Sequence, residues 1–154
     1  MPTTTSPDFE GLTVSVDAAP GGTPAGSPSE IGHLQDINPI IDKSRNSKKY
    51  TPINNSAYDE IVSVGSLMNG DFTAQVLYDP EASEGVNKLE SGIDNNEEVQ
   101  IIIELNNSLG TNGTKFTKLV KVTAFKVDGE VDGKLLASIT AAQIGSTTKT
   151  AAAV

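Results

Sequence analysis

Apolar and polar residues alternate in several short runs of this chain, the signature of strands with one buried face. Leu12, Val14 and Val16 alternate with Thr13, Ser15 and Asp17. Ile31, His33, Gln35 and Ile37 share a face of a second run, over Ile31–Ile37. Asn38-Pro39 closes it, because the residue before proline favours extended or turn geometry. A strand is predicted over Glu60–Val64. Then Phe72, Ala74, Val76 and Tyr78 alternate with Thr73, Gln75 and Leu77. Met68-Asn69-Gly70-Asp71 between them reads as a hairpin turn, since Asn-Gly is a strong hairpin signal. Val99, Ile101, Ile103 and Leu105 mark a further strand. In Thr114–Val127 the apolar register changes: Phe116, Val120, Val122 and Ala124 share one parity, Leu119, Phe125 and Val127 the other. That switch predicts a bulge or a two-sided strand. Leu135–Ile144 runs back after the Asp128-Gly129…Asp132-Gly133 turn.

One stretch has helical spacing. Ala82, Val86 and Leu89 form an apolar stripe, Asp79 stands at the N-cap and Pro80 at the first helical position. Glu81 and Glu84 fall in the first turn, and Gly92 reads as the stop. The pattern divides the chain into three parts. Residues 1–30 read as a flexible, Pro/Gly-rich arm with one short strand, 31–145 as the β domain, and 146–154 as a flexible Thr/Ala tail. Asp42–Asn55 is polar and basic without periodicity. It reads as a long inter-strand loop, and loops of about 20 residues in compact domains are usually functional. The fold class is mainly β, with one short helix.

Composition sharpens this. The chain has 154 residues and 16.1 kDa, enough for one core, but only 5% aromatic residues and no Trp. So slim a core makes burial against copies of itself worth considering. No apolar run approaches the roughly 20 residues of a membrane helix, and the N-terminus shows no secretory pattern, so a soluble protein is expected. There is no cysteine, which excludes disulfides. The net charge of −9 argues against tight binding of nucleic acid, which needs Lys and Arg to displace counterions. From Tyr50 to Glu104 eleven acids stand against one base, Lys88. The other bases, Lys149 apart, gather in Lys43–Lys49 and Lys115–Lys134. Such a distribution suits plain solvation or a surface that repels a passing polyanion.

Candidate chemistry is thin. His33 is the only histidine and has no nucleophile motif near it. Ser63-Val64-Gly65-Ser66 lacks the glycine that a nucleophile elbow needs before its serine. Asp128-Gly129-Glu130-Val131-Asp132-Gly133 begins like a calcium loop, but its twelfth position is Ile139 and not a bidentate Glu. It reads as a hairpin turn. Asn54, Asn106 and Asn112 sit in Asn-x-Ser/Thr triplets, of which the first two read as Asn-rich turns, and without a signal peptide glycosylation is not expected. Neither an enzyme nor a cofactor is expected.

The order of strand, long polar loop, hairpin, short helix and three closing strands resembles the tail tube (major tail) proteins of long-tailed bacteriophages with non-contractile, lambda-like tails. The resemblance rests on Ile31-Gly32-His33-Leu34-Gln35-Asp36-Ile37, Asp59–Gly65, Asp71–Leu77, the helix Pro80–Gly92 with Val99–Leu105, and Leu135–Gly145. It implies a β-sandwich or barrel-like tail tube fold with a flanking helix, in hexameric rings that stack into a tube. The implied partners are copies of itself, a tape-measure protein, a tail initiator or distal tail protein, and a tail terminator. DNA passes through without specific binding, and no membrane is involved. The implied location is the virion tail, with assembly in the host cytoplasm. A tube protein of a contractile tail, injection or secretion machine is an alternative, and a β-sandwich carbohydrate-binding module a second one.

Two sets of residues follow as candidates. Ile40, Ile41, Lys43, Arg45, Lys48, Lys49, Tyr50, Ile53 and Tyr58 lie in the segment Pro39–Ala57 and just beyond, expected to be mobile in the monomer and ordered against the next ring. Asp36, Asp59, Glu60, Asp71, Glu98 and Glu104 are expected on the lumen wall, where Lys118, Lys121 and Lys126 would contradict the charge reading.

Overall fold

The computed structural model describes residues 11–32, 34–50, 60–79, 84–107, 112–129 and 133–152, with backbone alone for Tyr50, residues 60–66 and Glu84. The strands among them are β1 (Thr13–Ala18), β2 (Ser29–Glu30), β3 (Leu34–Asn38), β4 (Ser44–Tyr50), β5 (Glu60–Met68) and β6 (Phe72–Leu77). The helix α1 (Glu84–Asp94) follows, then β7 (Glu98–Glu104), β8 (Lys115–Gly129) and β9 (Leu135–Thr150). Seven strands form one antiparallel sheet in the order β2-β1-β7-β8-β9-β6-β3, curled into a half-barrel. The mainly β, barrel-like architecture with one flanking helix is therefore present. β4 and β5 pair only with each other, as a two-stranded ribbon.

The concave face holds the core. On β7 every second residue is buried, and Val99, Ile101 and Ile103 meet Val14 and Val16 of β1 and Phe116, Val120 and Val122 of β8. Fully burying each such side chain is worth about 1.5–3 kcal/mol, which is why the period-2 runs set the strands. α1 lies on β1 and β8 and inserts Val86 and Leu89, both fully buried. The register change in β8 is a bulge: Val122 pairs with Ala141 but Ala124 with Thr140, so Thr123 is extra. Beyond it Phe125 is partly buried and packs edge-on against Tyr78 with ring centroids 6.2 Å apart, while Val127 is exposed.

Five expectations need correction. The polar stretch after Pro39 is not an unpaired loop throughout, because Ser44–Tyr50 forms β4 against β5. Its described side chains are exposed on both faces, so no alternation of apolar and polar residues betrays the strand. Asn69-Gly70 does not join a hairpin, since β5 belongs to the ribbon and β6 to the main sheet. The Gly there serves a close approach: a Cβ on Gly70 would fall inside contact distance of the Asp42 carboxylate. Gly92 does not end the helix, which runs to Asp94. It is buried because its missing Cβ lets Val99 pack at the helix surface (2.9 Å from where that Cβ would stand), and the chain turns at Asn96 with φ 54°. Residues 13–18 are no appendage either, since β1 is an interior strand between β2 and β7. Asp17 accepts a hydrogen bond from the Gly26 amide (2.8 Å), and Lys88 of α1 donates to the Ser27 carbonyl, so the segment after β1 is fastened to the domain. β9 likewise continues to Thr150, past the boundary placed at residue 145. The predicted N-cap region at residues 80–83 and His33 lie outside the described residues.

Leu89→Ala is expected to cost about 2–5 kcal/mol in urea unfolding, as for other buried leucines. A loss under about 1 kcal/mol would mean that the α1 stripe is not part of the core.

Candidate assembly surface

The β4–β5 ribbon departs from the sheet and makes no extensive contact with any other described element. β4 carries Arg45 and Lys49 on one face and Lys48 on the other, with Lys43 just before it, all exposed. Ile41 is 44% exposed and stands at the ribbon's base with Leu67 and Met68. Ile40, one residue earlier, turns inward and packs on the core. Of the other contact candidates, only the backbone of Tyr50 is described, and Ile53 and Tyr58 lie outside the described residues. The ribbon is thus a strip of cationic and apolar side chains on a domain with net negative charge.

Both roots of the ribbon are tied to the sheet. At the outgoing root, Asn69 Nδ2 donates to the Gly145 carbonyl (2.7 Å), beside the bulge where β9 takes a positive φ of 72°. At the incoming root, Lys118 of β8 donates from Nζ to the carbonyls of Ile40 (2.9 Å) and Pro39 (3.4 Å). Lys118 shares the inward parity of Phe116 and Val120 and is only 2% exposed. Its ammonium stands 5.1 Å from the centroid of the Phe72 ring, within cation–π range. Among the described residues no carboxylate pairs with it. Burial therefore pushes its pKa below the ordinary 10.5. The sequence offered one signal for this residue, its parity with a buried phenylalanine and valine. Lys118 is enclosed, so it cannot face a bore.

The acidic candidates are dispersed. Asp36 is exposed on the edge strand β3, and Asp71 is exposed where the chain re-enters the main sheet. Glu98 and Glu104 are half-buried at the two ends of β7, opposite Lys121 and Lys115. Glu104 also accepts from the Gly113 amide (3.1 Å) and lies 3.8 Å from Lys115, so it braces a turn. Asp59 lies outside the described residues, and of Glu60 only the backbone is described. Lys126 is exposed and pairs with Asp128 at 3.3 Å. Elsewhere on the surface, partial burial and then the adjacent Glu90 carboxylate raise the Tyr78 pKa. Among the described residues no group of three or more His, Asp or Glu side chains converges as for a metal ion, and no helix is long and apolar enough to cross a membrane.

No protein-family model matches the chain, and no curated protein matches it in sequence. Solved structures do. The SPP1 tail tube subunit is similar over 95% of this chain and 80% of its own, at 12% identity and a TM-score of 0.69. The tail of an empty gene transfer agent particle, refined with C6 symmetry, is similar over 95% of this chain and all of its own, at 13% identity and a TM-score of 0.68. The six-fold symmetrised baseplate of the anti-feeding prophage contains a chain similar over 97% of this one and 99% of its own, at 10% identity and a TM-score of 0.65. The fold is that of a phage tail tube protein. Each of these likenesses spans nearly the whole of this chain.

Lys118 makes stability depend on pH with a definite sign. Its folded pKa lies below its unfolded value, so above the folded pKa the unfolded chain holds the proton more tightly and stability rises with pH toward 10.5. Unfolding of wild type and Lys118→Met across the alkaline range should show the difference moving in favour of wild type as pH rises. A difference independent of pH would mean that the buried amine does not titrate abnormally.

Proposed function

We propose that this chain is a tail tube subunit, a non-enzymatic structural protein of a virion tail that joins copies of itself into stacked rings. The observation that carries the reading is the half-barrel with two short edge strands, β2 and β3, together with a cationic ribbon that leaves the sheet. The likeness to tail tube subunits over 95% of the chain supports it. Six subunits per ring is the stoichiometry favoured by the C6 symmetry of the gene transfer agent tail. In this reading the tube assembles around a tape-measure protein, begins on a tail initiator, ends at a terminator and later conducts DNA. Assembly then takes place in the host cytoplasm. The similarity to a chain of the anti-feeding prophage baseplate keeps a second reading in play, a tube of an injection machine.

The two edge strands offer unpaired backbone groups to a lateral neighbour, and short edges limit unprogrammed pairing. The ribbon reaches along the stacking direction, where Lys43, Arg45, Lys48 and Lys49 meet the acidic surface of the next ring and Ile41 docks among apolar side chains. Asp36, Asp71, Glu98 and Glu104, with Asp59 and Glu60, keep the bore negative. Like-charge repulsion is screened over about 8 Å at physiological salt, which still acts across a narrow channel.

Negative-stain electron microscopy of the purified chain, alone and with a tail initiator complex, should show stacked tubes. A compact monomer at high concentration under both conditions overturns the reading. In the tube, a bore lined by Lys121 and Lys126 would overturn its charge component. Deleting Lys43–Lys49 should leave a folded domain, since β4 packs on no other described element, yet stop elongation. Normal tubes from that deletion would remove the ribbon from the mechanism.

A further inference from the structure

We infer that Lys118 is the residue that aims the β4–β5 ribbon, by holding the incoming root of the ribbon from inside the half-barrel. The inference rests on the tube reading for its consequence, but its structural content stands without it. A two-stranded ribbon is at best marginally stable in water, and among the described elements none makes extensive contact with this one. Its direction must therefore be fixed where it joins the domain. Lys118 Nζ donates to two consecutive carbonyls, those of Pro39 and Ile40, which lie just after β3 and just before the ribbon. The Phe72 ring, on the strand that follows the ribbon, lies against the same ammonium. One buried group thus binds the chain on either side of the ribbon.

A merely structural residue here would be apolar. Phe116, Val120 and Val122 fill the neighbouring inward positions of β8, and Ile101 stands opposite Lys118 on β7. An ammonium in that row loses its hydration and gains no carboxylate among the described residues, a costly arrangement when methionine has nearly the same length. What Lys supplies and Met cannot is donors for carbonyls that the ribbon's root leaves within the fold. The Asn69–Gly145 contact holds the outgoing root in the same manner at the surface. Together they hold both chain segments at the root of the ribbon. Lys118 is a positioning residue, since its side chain is enclosed within the domain and acts on the ribbon through the Pro39 and Ile40 carbonyls.

The test compares wild type and Lys118→Met by hydrogen exchange and by initiator-seeded tube elongation. In the monomer, amides of 44–49 and 61–67 should exchange about tenfold faster in the variant, while amides of β7 and the paired part of β8 stay protected. Seeded elongation should fall by a similar factor. Unchanged ribbon exchange in a folded Lys118→Met chain overturns the assignment. If Lys118→Met does not fold, Lys118→Gln carries the same comparison. Loss of the fold with both substitutions also overturns it, because Lys118 would then hold the domain and not the ribbon. Tube formation by wild type is read separately: should wild type form no tubes, the tube reading fails, while the exchange data still decide the role of Lys118.

Discussion

A single antiparallel sheet has two faces and two edges, and one short helix covers only part of one face. In this chain the sheet answers that constraint by curling, so that Val14, Val16, Ile101, Ile103, Phe72, Val76 and Ile139 meet across its own concavity. The pairing of β7 between β1 and β8 is what the rest depends on. It brings the N-terminal strand inside, gives α1 a surface to lie on, and carries β8 past the end of β7 to reach β9 and the Tyr78–Phe125 contact. The bulge at Thr123 supplies the bend, because an extra residue raises local twist and changes which side chains face inward.

Curling a sheet without closing it leaves β2 and β3 as edges, with backbone groups that the sheet itself does not pair. The ribbon solves a different problem. Ordering free backbone costs about 1–2 kcal/mol per residue, and a strand already paired in the monomer has met much of that cost before any contact is made. The β4–β5 ladder therefore presents Lys43, Arg45, Lys48 and Lys49 in a defined spacing.

Charge is divided in the same spatial way. The cations are concentrated on the ribbon and on β8, and several of those on β8 are already engaged, Lys115 with Glu104, Lys126 with Asp128 and Lys118 with backbone carbonyls. Exposed pairs of this kind contribute little to stability. Beyond these pairs, the cations of the ribbon stand exposed on a chain with a net charge of −9.

The sequence by itself determined the strands whose alternate residues are buried. β1, β6 and β7 read directly from their period of two, and the register change in β8 announced its bulge, since burial on one face imposes that pattern on each strand alone. The apolar stripe Val86–Leu89 marked α1 for the same reason. Tertiary structure alone decided the rest. β4 has exposed residues on both faces and is held by backbone groups that every residue type carries, so Ser44–Tyr50 left no trace in side-chain pattern. The destination of the chain after Asn69-Gly70 depended on which strand offered a free edge, and β9 took β6 while β4 took β5. Gly92 resembled a helix stop, but its role was set by Val99, a residue brought against it by the sheet. Lys118 could not be distinguished from Lys121 or Lys126 as a charge in a list. Its meaning came from the enclosure of its side chain beneath the ribbon's root, and enclosure is a property of how distant segments meet.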